Sequence, residues 1–103
     1  IKTSEGVFMV NKPDIMFAEI FDKEITITTT EKELTTRMSL NTLQHKLAGA
    51  LFIQISKSSI INVHFIKKVN PSFSGNLIAT LTNGKKVSIS RRYVKNLNKA
   101  LGI

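Results

Sequence analysis

The stretch ISKSSIINVHFIKKV, residues 55–69, decides how the fold of this chain is interpreted. It places Lys57, Ser58 and Ser59 in a row, directly before the apolar residues Ile60 and Ile61. Runs of apolar, β-branched residues on both sides of a short polar segment are typical of two strands joined by a tight turn. We therefore predict strands at LFIQI (51–55) and SIINV (59–63), with Lys57 and Ser58 at the connection between them.

Short alternating segments of the same kind fill most of the remaining chain. Their β-branched and aromatic residues recur at period two and stop at turn signals, as half-buried strands do. Turns are predicted at Lys12-Pro13, at Asp22-Lys23 and at Asn83-Gly84, the last of which is a strong hairpin signal. The other predicted strands are GVFMV (6–10), DIMFAEIF (14–21), EITITTT (24–30), ELTTRMS (33–39), FIKKV (65–69), NLIATL (76–81) and KVSIS (86–90).

Two helices are predicted from capping residues and apolar residues at helical spacing. Ser39 is a typical N-cap for a first helix that ends at Gly49 and has the apolar stripe Leu40, Leu43 and Leu47. Ser90 is predicted to cap a last helix over residues 91–101, which ends at Gly102 and has the stripe Val94, Leu97 and Leu101. The predicted fold is mainly β, a small β-sandwich or open barrel of short antiparallel strands with two short helices.

Length and composition indicate one globular domain. The 103 residues are 42% hydrophobic and 21% charged, close to the averages for folded domains. Cysteine is absent, which excludes disulfides and thiolate metal ligands and fits a reducing, cytoplasmic setting. No apolar run approaches the roughly 18 residues that a membrane span requires, and no signal-peptide pattern is present. Because the chain begins with Ile1, we expect a domain of a longer protein.

Charge is distributed unevenly along the chain. All seven acidic residues lie in the first 33 positions together with four lysines, so this third has a net charge of −3. From Leu34 onward the chain has no carboxylate side chain and carries a net charge of +11. Charges of one sign repel one another unless a polyanion neutralises them, which favours a phosphate-rich partner over a merely soluble basic surface.

Residues that catalyse reactions or bind metals are sparse. His45 and His64 are predicted on the outer face of the first helix and in a turn, where solvated side chains are usual. A hydrolase would need facing carboxylates, for which the candidates are Asp14, Glu19, Asp22 and Glu24, but charges on hairpins are more often simply solvated. Because the sequence contains neither a Gly-rich phosphate loop nor a metal-binding triad, we predict no enzyme, no cofactor and no metal site.

Candidate anion-binding residues lie at the ends of the predicted elements. Arg91 and Arg92 fall at the predicted start of the last helix, where free N–H groups and two guanidinium groups can hold phosphate or guanine. Lys57 and Ser58 offer a compact cation beside a hydroxyl, which suits phosphate oxygens. General solvated surface is an equal alternative for the further candidates Lys67, Lys68, Lys85 and Lys86. Lys23 and Glu24 lie at a predicted hairpin tip, where exposed charge needs no special reason.

Two long segments resemble a known family. FIQISKSSIINVHFIKKV and GNLIATLTNGKKVSISRRYVKNLNKAL closely resemble the signature half of the LytTR DNA-binding domain of bacterial response regulators. DIMFAEIFDKEITITTT and SLNTLQHKLAGALF are similar to its front half, so the resemblance covers about residues 7–101. The resemblance is carried by the ordered combination of F-x-x-I-x-K-S-x-x-I-N-x-x-x-I with S-R-x-Y.

The resemblance implies an elongated fold and a function. Such domains are usually output domains of two-component response regulators, joined to a receiver domain, and bind paired direct repeats in promoters as a dimer on double-stranded DNA. Loops enter the major grooves, and the base-reading positions correspond here to Lys23 and Glu24, to Lys57 and to Arg92. Glu24 stands where some members have a histidine; its carboxylate cannot donate to guanine and would repel phosphate, but it can accept from N4 of cytosine, so this contact is expected to have changed its partner or to be lost. Residues 1–103 are thus expected to form one such domain, the C-terminal part of a longer regulator.

The competing interpretation is a small β-barrel that binds RNA or single-stranded nucleic acid. Such modules stack bases on exposed aromatic side chains. The aromatic residues here lie mostly in apolar alternations that predict core positions: Phe8, Phe17, Phe21, Phe52, Phe65, Phe73 and Tyr93. Asn62 is predicted to make structural hydrogen bonds rather than to contact a base.

Overall fold

The computed structural model describes residues 2–3, 6–48 and 51–102. The molecule is elongated, with principal extents of 40 × 24 × 24 Å. The strands of the described part are β1 Lys2–Thr3, β2 Gly6–Val7, β3 Ile15–Phe21, β4 Glu24–Thr29, β5 Glu33–Arg37, β6 Phe52–Ser56, β7 Ser59–Asn62, β8 Ile66–Pro71, β9 Leu77–Leu81 and β10 Lys86–Ile89. The helices are α1 Leu40–Lys46 and α2 Val94–Leu101, and neither is long and apolar enough to cross a membrane.

The strands form open antiparallel sheets. The five-stranded sheet has the order β5-β4-β3-β7-β6, the three-stranded sheet has the order β10-β9-β8, and β1 pairs with β2. Neither large sheet closes into a barrel, because its order begins and ends on different strands. The predicted mainly β, elongated fold with antiparallel strands and two helices is therefore confirmed, and the sheets remain open.

Both faces of the five-stranded sheet are covered. On one face, Phe17 and Ile61 pack with Ala79 of β9, Ile89 of β10 and Leu97 of α2 in what we call the first core. On the other face, the second core includes Ile25, Ile27 and Ile60 of the sheet and, from the α1 region, Leu43 and Leu47. Adjacent residues of one strand enter different cores because successive side chains on a strand point to opposite faces. Thus Ile60 and Ile61 of the deciding stretch anchor both cores.

The predicted hairpin turns form with backbone geometry that fits their residues. Asp22 and Lys23 have φ values of 48° and 69°, which gives the two-residue turn between β3 and β4 a twist compatible with the flanking strands. The turn at Asn83-Gly84 has three residues rather than two, because Leu81 N donates to Lys85 O. Gly84 there has a φ of 88°, a conformation that glycine adopts without a steric penalty.

The first helix confirms its predicted cap, and the predicted strand over residues 6–10 is shorter than expected. The Ser39 hydroxyl accepts from Thr42 N at 3.0 Å, while Leu43 and Leu47 are buried. The predicted stop at Gly49 lies outside the described residues. The predicted strand over residues 6–10 is limited to Gly6–Val7, and Lys12–Asp14 form a 3-10 turn at the predicted Lys12-Pro13 turn.

The last helix begins later than predicted. Arg91–Tyr93 form a 3-10 turn, and α2 begins at Val94. Ser90 makes no side-chain cap; its N–H donates to Ile55 O at 2.9 Å and its carbonyl accepts from Tyr93 N, so backbone hydrogen bonds hold the turn. Leu101 is 48% exposed, so the buried apolar stripe of α2 ends at Leu97. The helix ends at Gly102, which has a φ of 74°, as predicted.

Candidate nucleic-acid interface

Two hairpin tips lie side by side at one end of the five-stranded sheet. β3 pairs with β7 through Glu19 and Ser59, and Ile20 N donates to Ser58 O at 2.8 Å. Because β3 and β7 are antiparallel, the C-terminal end of β3 and the turn that precedes β7 lie at the same end of the sheet. The Asp22-Lys23 turn therefore lies next to the Lys57-Ser58 turn, although the two are separated by more than thirty residues in sequence.

The turn that carries Lys57 is fixed by its serines. The Ser56 hydroxyl accepts from Ser58 N at 3.2 Å and hydrogen-bonds the hydroxyl of Ser59, which is 4% exposed. Gln54 Nε2 donates to Ser56 O at 2.9 Å and adds a further constraint. Lys57 is exposed and Ser58 half-buried, so the lysine side chain is presented on a short connection whose backbone is held in place.

The β3–β4 tip carries mixed charge and an aromatic side chain. Residues 21–24 are all exposed, and Phe21 is directly opposite Glu24 in the register of the hairpin. On the other side of Glu24, the register places Arg37 of β5 as its cross-strand partner. An opposite charge on the neighbouring strand offsets the carboxylate of Glu24, which would otherwise repel an approaching phosphate.

Arg91 and Arg92 lie in different surroundings. Arg91 N donates to Asn76 Oδ1 at 2.9 Å, and the Arg91 side chain lies against the backbone turn at Gly75. A Cβ at Gly75 would lie 2.8 Å from Arg91 Cδ, so the aliphatic stem of that arginine occupies the space above the glycine. Arg92 is exposed on the same 3-10 turn. The two arginines therefore differ in their contacts: the Arg91 side chain packs along the loop between β8 and β9, whereas Arg92 is exposed.

This 3-10 turn is attached next to the hairpin tip that carries Lys57. Ser90 N donates to Ile55 O, two residues before Lys57, and Ser90 lines the same cleft as Ser56 and Ser59. We define the tip surface as residues 21–24, 56–59 and 90–92. It brings together six of the ten predicted site residues, Lys23, Glu24, Lys57, Ser58, Arg91 and Arg92.

Lys85 and Lys86 border the tip surface. They line a cleft of about 370 Å³ between the two large sheets, together with Glu19, Ser56 and Ser59. Lys85 Nζ lies 5.4 Å from the centroid of the buried Phe17 ring, which holds this lysine at the cleft. Both lysines thus lie next to the tip surface.

Lys67 and Lys68 are not brought to the tip surface. They are exposed on β8, and β8 and β10 form the opposite edges of the three-stranded sheet. Lys68 pairs with Thr80, which pairs on its other side with Lys86, so the two lysines belong to one cross-strand row. At about 4.8 Å per strand, that row extends positive charge roughly 10 Å from Lys86.

The residues considered for catalysis have structural or surface positions. His45 and His64 are exposed, and no group of three or more potential metal ligands is found within the described residues. Asn62 is 4% exposed, where its amide donates to Ile15 O at 2.9 Å and its oxygen accepts from His64 N at 3.0 Å. The prediction that Asn62 makes structural hydrogen bonds is confirmed.

A sequence profile of the LytTr DNA-binding domain matches residues 5–102. The chain belongs to the LytTr DNA-binding domain family. The profile covers nearly the whole chain, including both hairpin tips and the Arg91–Tyr93 turn. The resemblance inferred from the signature residues is thereby confirmed, and with it a DNA-binding function. The family is a class of DNA-binding domains and not a class of enzymes, and the single-strand alternative is not favoured.

Relatives and a solved structure agree with this assignment. The sensory transduction protein LytR of Streptococcus agalactiae is 33% identical over 95% of this chain, and LytT of Enterococcus faecalis is 31% identical over 100%. This LytTr domain covers 40% and 43% of those two proteins, so the chain spans about two fifths of their length. A solved LytTr DNA-binding domain from Bacillus cereus superposes with a TM-score of 0.88 and 29% identity, covering 99% of this chain and 94% of that one.

Two aromatic residues depart from the predicted core positions. Phe21 and Phe73 of this LytTr domain are 83% and 86% exposed, whereas Phe17 is 4% exposed. Alternation predicts which face of a strand a residue occupies but not whether anything covers that face. The sequence does contain a signal for the exposure of Phe21: this residue directly precedes the turn residues Asp22 and Lys23, and the last residue of a strand often extends past the strand next to it.

Proposed function

We propose that this LytTr domain recognises specific sequences in double-stranded DNA through its tip surface. The observation that carries the proposal is the convergence of two hairpin tips and a 3-10 turn at one end of the five-stranded sheet, each with an exposed cation. Lys23, Lys57 and Arg92 are those cations. Exposed loops that project from a rigid sheet can enter a groove while the sheet itself remains outside.

The contacts divide into those that position the domain and those that distinguish bases. Lys57 and Ser58 suit phosphate oxygens or a base edge at the groove entrance, and the fixed backbone of their turn limits the entropy lost on binding. Arg92 is exposed and suits bidentate contact with guanine. Arg91, Lys85 and Lys86 flank these groups and suit phosphates. Lys67 and Lys68 supply longer-range positive charge.

The biological setting is part of the proposal. The relatives are named sensory transduction proteins, and this chain spans about two fifths of their length. Residues 1–103 therefore act as a single output domain at the C-terminal side of a longer cytoplasmic response regulator with a receiver domain. Two such domains bind paired direct repeats in a promoter, as a dimer on the DNA.

Salt dependence tests whether the surface neutralises phosphates. Binding to a duplex selected from a random pool is expected to weaken steeply with salt, with a log–log slope of about −0.9 per neutralised phosphate, because counterions are released. With four to six phosphates contacted, the slope is about −4 to −5, measurable by fluorescence anisotropy. A slope near zero contradicts the proposal, and tighter binding to single strands than to duplex supports the barrel alternative.

Two lysine variants distinguish a direct DNA contact at the tip surface from a general effect of net charge. Lys57→Ala removes a charge-assisted hydrogen bond and is expected to weaken the selected site by about 1.5 kcal/mol, a factor of about ten. Lys46→Ala removes the same charge from the exposed side of α1 and is expected to cost about 0.5 kcal/mol or less. Anisotropy titrations of both variants at one salt concentration give the comparison. Equal losses mean that Lys57 contributes only net charge.

A further inference from the structure

Phe21 is a large apolar side chain left uncovered at the tip surface. It is 83% exposed and immediately precedes the left-handed residues Asp22 and Lys23. Its register opposite Glu24 fixes its direction, since the last pair of a tight hairpin cannot rotate without breaking the turn. Phe21 belongs to neither core.

The neighbouring strand ends before it reaches Phe21. Pairing between β3 and β7 stops at Glu19 and Ser59, and the contact of Ile20 N with Ser58 O is the last one along that edge. Phe17, Glu19 and Phe21 share one face of β3 because alternate residues point the same way. Phe17 is covered by the first core, and Glu19 borders the cleft. The ring of Phe21 is consequently presented beside the Lys57 turn.

We propose that Phe21 packs against the C5-methyl group of a thymine in the major groove and so contributes to sequence recognition. This inference rests on the proposed duplex binding by the tip surface. The tip of a two-stranded ribbon fits the major groove, and apolar contact with the thymine methyl distinguishes that base from cytosine. The charge of the tip surface favours DNA as the occupant, because its four cations, Lys23, Lys57, Arg91 and Arg92, outnumber the two carboxylates of Asp22 and Glu24 and attract phosphate.

Removal of single methyl groups from the DNA tests the contact. In the selected duplex, each thymine is replaced in turn by deoxyuridine, which lacks only the C5-methyl group. The unaltered domain is expected to lose about fourfold in affinity at one or two thymines, as loss of one buried methyl group predicts. Phe21→Ala is expected to bind the parent duplex about tenfold more weakly and to be insensitive to deoxyuridine at those positions.

Two further variants make the result specific. Phe21→Leu keeps an apolar side chain and is expected to retain part of the methyl preference. Met9→Ala is the matched control, because Met9 is 95% exposed and lies by the β4–β5 turn, at the opposite end of the sheet. This control is expected to bind like the unaltered domain. Far-UV circular dichroism of each variant verifies that the fold is retained.

The outcomes distinguish this inference from the proposed function. If the unaltered domain selects no duplex sequence, the proposed function fails. If it selects a site while Phe21→Ala shows the same affinity and the same response to every deoxyuridine, duplex recognition stands and the role of Phe21 is overturned. Loss of the response at particular thymines in Phe21→Ala alone supports the contact.

Discussion

Ile61→Ala is expected to lower the free energy of unfolding by about 2–5 kcal/mol, a large part of the roughly 5–15 kcal/mol typical of a domain. Ile61 is fully buried in the first core, and its register neighbours are Phe17 on β3 and Ile53 on β6. Truncation leaves a cavity among groups that two sheets hold in place, so the surroundings can collapse only in part. Urea unfolding followed by circular dichroism measures the change.

Two controls define the mechanism of this loss. Ile61→Val removes a single methylene group and is expected to cost about 0.5–1.5 kcal/mol. Val7→Ala changes a residue that is 67% exposed and is expected to stay within about 0.5 kcal/mol of the unaltered domain. A loss below about 1 kcal/mol for Ile61→Ala would show that the two sheets do not pack tightly at this position.

Arg92→Ala is expected to weaken binding to the preferred DNA site by about 1–3 kcal/mol and to relax the preference at one base position. The physical reason is the fork of guanidinium donors, which matches the O6 and N7 acceptors of guanine. Arg92→Lys retains the charge but not the fork, so it is expected to restore general affinity while the base preference remains relaxed.

Arg91→Ala is the matched variant on the same turn. Its side chain lies along Gly75, so we expect a smaller loss that is similar for all sequences. The measurement is competition binding of each variant against single-base changes of the selected site. An unchanged base preference in Arg92→Ala would remove Arg92 from the residues that distinguish bases.

Local signals in the sequence predicted most of the turns and caps. Asp22 and Lys23 favour a tight hairpin, and Ser39 favours a helix start, because each depends on a few neighbouring residues. The start of the last helix was mispredicted because it depends on residues that are distant in sequence. Ser90 and Arg91 use their N–H groups in hydrogen bonds to Ile55 and Asn76, which are distant in sequence. A local cap pattern contains no information about such bonds.

The candidate site was predicted residue by residue but not as a surface. That the Lys57 turn lies next to the Asp22-Lys23 turn depends on the pairing of β3 with β7 and on its register. The exclusion of Lys67 and Lys68 likewise depends on β8 being the far edge of the three-stranded sheet. Sequence alternation identifies strands without giving their order, so neither fact could be derived from it.

The most direct test of DNA recognition by the tip surface is a map of amide chemical-shift changes. A ¹⁵N-labelled domain is titrated with the selected duplex, with an unrelated duplex as control. We expect the largest changes at residues 21–24, 56–59 and 90–92, with the outer side of α1 and the β4–β5 turn nearly unchanged. Changes concentrated on α1 or around Met9, with the tip surface unaffected, would contradict the account.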